Sequence, residues 1–330
     1  MSNTKHRKNY VLKPVLKERM RELLKDEKDF DAFEKIIHER QRSFIRCNTL
    51  KISSSDLFKR LNEKWKVKQP FFRNPEVMVV ENKLEPGELG NALEHLLGYY
   101  YVQEVSSMLS VIALQPKPGD FVLDLTAAPG SKTTQIAAAM ENKGTLIAND
   151  KDLGRVRVLA SNLERCGVMN CVVTRNDGVV LCDKMNKAGY KFDKVLVDTS
   201  CSGEGTFRSS PKTFMMWNIK QVKNLSRIQK RMLSAAFKVL KKDGELVYST
   251  CTHAPEENEA VVDFALKNFP VEVEKITLPL KCRSGIKEWK DKEYDINVEK
   301  TCRIYPQDND SEGFFVAKFK LKEEIKGEMK

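Results

Sequence analysis

The stretch FVLDLTAAPGSKTTQIAAAM (residues 121–140) decides the fold. FVLDL is a nearly continuous apolar run, the pattern of a strand covered on both faces. Thr126 to Gly130 are small residues around one proline and end the strand in a tight loop. SKTTQIAAAM then reads as a helix. Strand, small-residue loop and helix in this order form the first unit of a doubly wound, mostly parallel α/β sheet. The grammar repeats downstream: TLIAND (145–150), CVVTRND (171–177), FDKVLVD (192–198) and GELVYST (244–250) read as strands. Helices are expected over 152–165 and roughly 219–241. Two late strands, VEVEKITL (271–278) and FFVAKFKL (314–321), flank a polar, loop-like insert.

Upstream of Pro116-Lys117-Pro118-Gly119 the pattern differs. Residues 1–40 read as helical, with apolar positions spaced among charges. SFIRCNTLK (43–51), WKVKQPFF (65–72) and EVMVVEN (76–82) read as strands, and Ser54-Ser55-Asp56 as caps of a short helix. LGNALEHLLG reads as a helix closed by Gly98, and another helix is expected near 106–114. The expected divisions are 1–40, a helical segment; 41–117, a small α+β module; 118–322, the doubly wound domain; and 323–330, a tail. At 330 residues the chain is too long for one ordinary core.

Composition narrows the function classes. With 41% hydrophobic and 31% charged residues, collagen-like, disulfide-scaffold and wholly disordered chains are excluded. No apolar run approaches the roughly 18 residues of a bilayer span, and the start MSNTKHRKNY has no signal-like apolar core. A soluble, cytoplasmic protein without a membrane partner is expected. The net charge of +11 is densest at the front, where residues 1–117 carry 22 basic and 16 acidic side chains. Such an excess favours a polyanion partner. The eight cysteines include no C-x-x-C pair, and His6, His38, His95 and His253 show no ligand spacing, so free thiols and no metal are expected.

In a doubly wound sheet, ligands bind beyond the carboxyl ends of the strands. The first strand leads into Thr126-Ala127-Ala128-Pro129-Gly130-Ser131-Lys132, where small side chains let a ligand approach amides at a helix's positive end. Neither a P-loop nor G-x-G-x-x-G is present. The second strand ends in Asp150 and the third in Asp177. This set suits an adenosine-bearing cofactor, either NAD or S-adenosylmethionine; a turn glycine with helix-capping aspartates is the structural alternative. The fourth strand ends in Asp198-Thr199-Ser200-Cys201, the fifth in Ser249-Thr250-Cys251. With strand order 3-2-1-4-5 these ends are neighbours about 4.8 Å apart, bringing Asp198, Cys201 and Cys251 together. A buried thiol pair would be the bland explanation. The chemical one is base methylation. Carbon 5 of cytosine is a poor nucleophile until a thiolate adds at carbon 6, a carboxyl at ring nitrogen 3 stabilises the adduct, and a second thiol assists release.

These residues carry a family resemblance. AAPGSKTTQIA, DTSCSGEGTFR, YSTCT and PEENEAVVDFAL resemble the Sun-type RNA 5-methylcytosine methyltransferases, as do IRCNTLK, YYYVQEVSSML and RIYPQDNDSEGFFVAKF. The resemblance spans roughly residues 43–321. It implies a class I methyltransferase fold, Rossmann-like with a mostly parallel seven-stranded sheet, behind an N-terminal module of RNA-recognition type. It further implies S-adenosylmethionine as cofactor and RNA as substrate. Cys251 then looks like the nucleophile, Cys201 like the release cysteine, and Asp198 like the carboxyl on the base, with Lys132 reaching the catalytic centre. Thr126 to Lys132, Asp150, Arg155, Asp177 and Asp198 would line the cofactor site. Three positions depart from the family pattern: Thr126 where Cys is usual, Ser131 where Gly is usual, and Ser200 where Pro usually stiffens the turn before Cys201.

The expected activity is thus cytosine-5 methylation of RNA by a monomer, with tRNA preferred and ribosomal RNA next. A non-catalytic RNA-binding assembly factor is the alternative from another class. An NAD-linked oxidoreductase is disfavoured by the missing glycine fingerprint. Arg42, Arg46, Lys51, Lys59, Arg60, Lys64, Lys66, Lys68 and Arg73, with Phe71 and Phe72 nearby, are read as an RNA-binding face; a solvated basic face is almost as good a reading. Tyr99–Tyr101 is read as packing between modules. Glu256, Glu257 and Glu259 are read as acids at a helix start.

Overall fold

The computed structural model describes residues 11–210 and 212–325. The helical reading of residues 1–10 and the last five residues of the expected tail lie outside the described residues. Fifteen strands are present among them: β1 (Ser43–Cys47), β2 (Val67–Lys68), β3 (Val77–Val80), β4 (Tyr100–Val102), β5 (Phe121–Asp124), β6 (Thr145–Asn149), β7 (Cys171–Thr174), β8 (Phe192–Asp198), β9 (Leu240–Thr250), β10 (Val271–Glu274), β11 (Arg283–Ser284), β12 (Glu288–Trp289), β13 (Lys292–Glu293), β14 (Cys302–Ile304) and β15 (Phe314–Leu321).

The main sheet runs β11-β14-β15-β9-β8-β5-β6-β7, with β10 also paired to β15. The strands β7-β6-β5-β8-β9 are parallel, in the expected third-second-first-fourth-fifth order. β15 lies antiparallel beside β9. Strand alternation explains how one sheet supplies two cores. Val195, Val197, Leu246 and Tyr248 point to one face, among Leu233, Phe237 and Phe315. Leu196, Val247 and Val122 point to the other, against Leu109, Ile136 and Ala137. Each Val, Leu, Ile or Phe among them contributes about 1.5–3 kcal/mol on burial.

The insert expected to be loop-like is partly ordered, and the sheet has nine strands rather than seven. β14 adds to β15 through Cys302↔Val316 and Ile304↔Phe314, and β11 adds to β14. A charge at the centre of β14 hid this strand from an apolar count: Arg303 is buried and makes a two-pronged contact with the buried Glu259.

The small module is an antiparallel sheet in order β2-β3-β1-β4, backed by the helix Ser54–Asn62, which Ser53 caps at Asp56 N (3.1 Å). The strand expected over 65–72 shrinks to Val67–Lys68 because Pro70 cannot donate to a ladder. The helix expected over 89–98 breaks into two single turns, Glu88–Asn91 and Leu93–Leu96, around an extended Ala92, as Gly90 and Asn91 are weak helix formers. The tyrosine run is largely strand: Tyr100 fills the module's own core, while Tyr101 lies at the junction, its ring under Arg46 and Arg165.

Two connections fix the module and the N-terminal helices to the main sheet. The helix Val105–Leu114 leaves β4 and packs under β8, β9 and β15. The helices Pro14–Leu24 and Glu27–Ile36 bury Leu16, Met20, Phe30 and Phe33 against Phe207, Trp217, Ala254 and Tyr305. Arg19 seals that contact with two bonds to Glu256, at 3.1 and 2.8 Å. The residues that follow Cys201 and Cys251 are therefore held from outside by the start of the chain.

Candidate active site

The helix Ser131–Ala139 begins at Gly130, whose φ of +106° is open to glycine and costly for other residues. A side chain there would also meet Leu159 at 3.1 Å. No side chain caps this helix, so its first amides face the space beyond β5. Asp150, at the end of β6, is buried; its carboxylate accepts from Asp152 N (3.0 Å) and faces Arg155 Nη1 (3.3 Å). A carboxylate has about four acceptor sites, so room for ribose hydroxyls remains. Asp177 Oδ1 caps the helix Gly178–Lys187 through Val179 N (3.0 Å) and Val180 N (3.3 Å). An uncapped helix start, a buried acid after β6 and small residues at 126–130 fit an adenosine cofactor of the expected kind.

The candidate reacting residues converge next to it. Lys132 is only 8% exposed, and its ammonium pairs with Asp198 Oδ2 (2.8 Å) and donates to Ser107 Oγ (2.7 Å), over the face of Phe314. Asp198 Oδ1 accepts from Ser249 Oγ (2.7 Å), which in turn accepts from Ser110 Oγ (2.9 Å). One carboxylate is thus oriented by a cation and a hydroxyl drawn from two elements, and its rotamer is fixed before any substrate arrives. Thr126 Oγ1 donates to the main-chain oxygen of Asp198 (2.7 Å), tying the first loop to the fourth strand. That bond gives the departure at Thr126 a structural use.

Cys201 and Cys251, fifty residues apart in sequence, bring their sulfurs to 3.1 Å. The contact with Cys251, together with burial, pushes the Cys201 thiol well above its ordinary range. Main-chain bonds fix the loops that carry them: Gly205 N donates to Cys251 O (2.9 Å) and Gly313 N to Gly205 O (2.8 Å). A Cβ at Gly205 would lie 2.3 Å from Gly313 O, so the approach needs glycine.

The structure brings Lys132, Asp198, Cys201 and Cys251 into one cluster and sets Thr126–Ser131, Asp150 and Arg155 beside it. Reading the sequence missed Ser107, Ser110, Ser249, Phe314 and the buried Asp124, which burial pushes up to about 7 while Thr133 Oγ1 donates to it (2.7 Å). Ser249, near the end of β9 and two residues before Cys251, and Asp124, the last residue of β5, had a positional signal. The three acids after Pro255 are structural, though not as a helix cap: Glu256 binds Arg19, Glu257 binds Ser202 N, and Glu259 binds Arg303.

Within the basic face of the small module one residue needs a correction, because Arg46 is buried. It donates to Ser131 O (2.6 Å), Thr134 and Gln103. Arg60 and Lys64 share Glu94, Lys66 and Lys68 share Glu81, Arg42 pairs with Asp310, and Lys51 binds two main-chain oxygens. Each of these partnered cations lies within reach of an acid or carbonyl that reading by residue type does not register, while Lys59 and Arg73 stay exposed on the surface. Phe72 is 99% exposed too. Among the described residues no group of three or more His, Cys, Asp or Glu could hold a metal, and no helix is long and apolar enough to cross a membrane. All eight cysteines are free.

Comparison with known proteins agrees with this geometry. Residues 111–320 match the 16S rRNA methyltransferase RsmB/F family, and residues 12–105 match the N-terminal domain of 16S rRNA methyltransferase RsmF. A tRNA (cytosine(49)-C(5))-methyltransferase of Pyrococcus abyssi is 42% identical over 298 residues, covering 90% of this chain and 93% of the relative. Ribosomal RNA small subunit methyltransferase F of Shewanella piezotolerans is 43% identical over 285 residues, covering 84% of this chain but 57% of the relative. The chain therefore spans little more than half the length of that relative. The crystal structure of NSun6 from Pyrococcus horikoshii with SFG, an S-adenosylmethionine analogue, superposes with a TM-score of 0.79 at 26% identity, covering 95% of this chain and 99% of that one. With a family model across the whole strand-end site, the chain belongs to the RsmB/F family of Sun-type, S-adenosylmethionine-dependent RNA 5-methylcytosine methyltransferases.

Proposed function

We propose that this protein methylates carbon 5 of a cytosine in tRNA, with Cys251 as nucleophile and Cys201 as the base that frees the product. The observation that carries it is the 3.1 Å approach of two thiols from neighbouring strand ends, beside the Lys132–Asp198 pair. Cys251, as thiolate, forms a carbon–sulfur bond at carbon 6. Asp198 meets the N3 edge of the ring, and Lys132 holds that carboxyl in place. The electron pair displaced by addition makes carbon 5 nucleophilic. S-adenosylmethionine, held by Thr126 to Lys132, Asp150, Arg155 and Asp177, supplies an electrophilic methyl group when bound. Once the Cys251 sulfur is bonded to carbon 6 it no longer holds the Cys201 thiol up, and Cys201, its proton released to solvent, takes the carbon 5 proton. That bond's electrons restore the ring double bond, and Cys251 departs as thiolate.

tRNA is preferred over ribosomal RNA because the tRNA-named relative matches 90% of this chain and 93% of its own length. The target base must leave its stack to reach Cys251, which favours loops and junctions over continuous duplex. The test is methyl incorporation into purified tRNA and into small-subunit ribosomal RNA, followed by bisulfite sequencing. New 5-methylcytosine at a single tRNA position supports the proposal. Modification confined to ribosomal RNA moves the substrate, and none in either refutes the activity.

A further inference from the structure

Glu257 is a buried acid that the chemistry above does not use. It is 0% exposed, yet its carboxyl points back toward the Cys201 turn. Ser202 N donates to its Oε2 at 3.1 Å, with Oε1 at 3.4 Å. Gln229, in the middle of the twenty-residue helix Ile219–Lys238, donates through one Nε2 both to Glu257 Oε2 (2.8 Å) and to Ser200 O (3.0 Å). The hydroxyls of Ser202 and Thr252 meet at 2.8 Å. Glu257 is itself anchored, since Tyr248 OH donates to its main-chain oxygen.

The three-residue turn 200–202 is thus gripped on both sides of its central residue. Its entering carbonyl is held by Gln229, its leaving amide by Glu257, and its last hydroxyl by the loop that carries Cys251. This matters because Ser200 is exposed and stands where a proline would otherwise restrain φ. A thiol that must lie against Cys251 in one step and against carbon 5 in another tolerates little drift, since displacement by about 1 Å can cost on the order of a hundredfold in rate.

We infer that Glu257 and Gln229 are the positioning residues of the releasing thiol, doing by hydrogen bonds on both flanks of Cys201 what ring closure at residue 200 would do covalently. The inference rests on the proposed reading of Cys201 as the release base. Burial pushes the Glu257 carboxyl up to about 7, so a neutral side chain of the same shape suits this place. Glu257→Gln keeps an oxygen for Ser202 N, whereas Glu257→Ala leaves that buried amide unpaired.

The experiment follows full-length wild type, Cys201→Ala, Glu257→Ala, Glu257→Gln and Gln229→Ala with labelled S-adenosylmethionine and one folded tRNA. The readouts are first-turnover methyl transfer, steady-state turnover, and protein–RNA adduct on denaturing gels. Glu257→Ala should transfer its first methyl group within about threefold of wild type, turn over at least about tenfold more slowly, and accumulate adduct as Cys201→Ala does. Glu257→Gln should stay within about threefold of wild type throughout. If Cys201→Ala traps adduct while Glu257→Ala turns over like wild type, the positioning role is overturned and the reading of Cys201 stands. If Cys201→Ala traps none, that reading fails first. Should Glu257→Ala fail to fold and bind cofactor, Gln229→Ala decides: adduct above wild type supports the inference, and wild-type release overturns it.

Discussion

At the carboxyl ends of β5, β8 and β9, polar side chains from separate elements converge on one space. On the small N-terminal module, four exposed basic side chains turn back onto two acids of their own module, Glu94 and Glu81. Lys132 and Asp198 form a pair of a buried cation and a half-buried acid, oriented by serines and adjacent to two thiols. Arg60 and Lys64 form a pair with Glu94 that only completes a surface. The difference is one of constraint. A parallel strand delivers its last residue to a fixed place, so residue type at a strand end predicts a site. A surface cation has many partners within reach, and residue type alone does not say which it takes.

The largest expected effect breaks the first region. Cys251→Ala should abolish methyl transfer while cofactor affinity, measured by calorimetry, stays near wild type, because that sulfur lies outside the residues proposed to hold the cofactor. Turnover above a few per cent of wild type would remove Cys251 from the role of nucleophile.

An intermediate effect is expected one strand-end away. Asp150→Ala should weaken cofactor binding about tenfold, or about 1.4 kcal/mol, since a charge-assisted bond to a ribose hydroxyl is lost. Part of that loss reflects Arg155, which faces the carboxylate at 3.3 Å. Unchanged affinity would reduce Asp150 to its contact with Asp152 N.

The smallest effect sharpens the second region. Neutralising Lys59, Arg60 and Lys64 together should change the salt dependence of RNA binding by less than one phosphate contact, a slope of about 0.7 to 0.9 in log affinity against log salt. Arg60 and Lys64 are already partnered, so they release few counterions on binding. A change of two or more contacts would show that RNA displaces Glu94 and restores the basic face.

Much of the doubly wound sheet was legible because its strands are apolar and its helices intervene. β8 and β15 have the bounds their apolar runs suggested, 192–198 and 314–321. β14 was not legible, because Arg303 is buried only by virtue of Glu259, forty-four residues away. The site divides likewise. Cys201, Cys251 and Asp198 could be placed from strand ends and sheet order. Ser107 and Ser110 could not, since they reach the site from a helix whose docking follows from tertiary packing rather than from any local pattern. The grip of Gln229 and Glu257 on the turn was hidden for the same reason.

The central claim is that two thiols divide the work, Cys251 adding to the base and Cys201 releasing it. The most direct measurement is peptide mapping of the adduct trapped by Cys201→Ala on folded tRNA. After nuclease and protease digestion, mass spectrometry should find a methylated cytidine on the peptide that contains Cys251, and the Cys201→Ala, Cys251→Ala double variant should yield no adduct. A nucleotide on any other residue, or an adduct that survives in the double variant, would contradict the account.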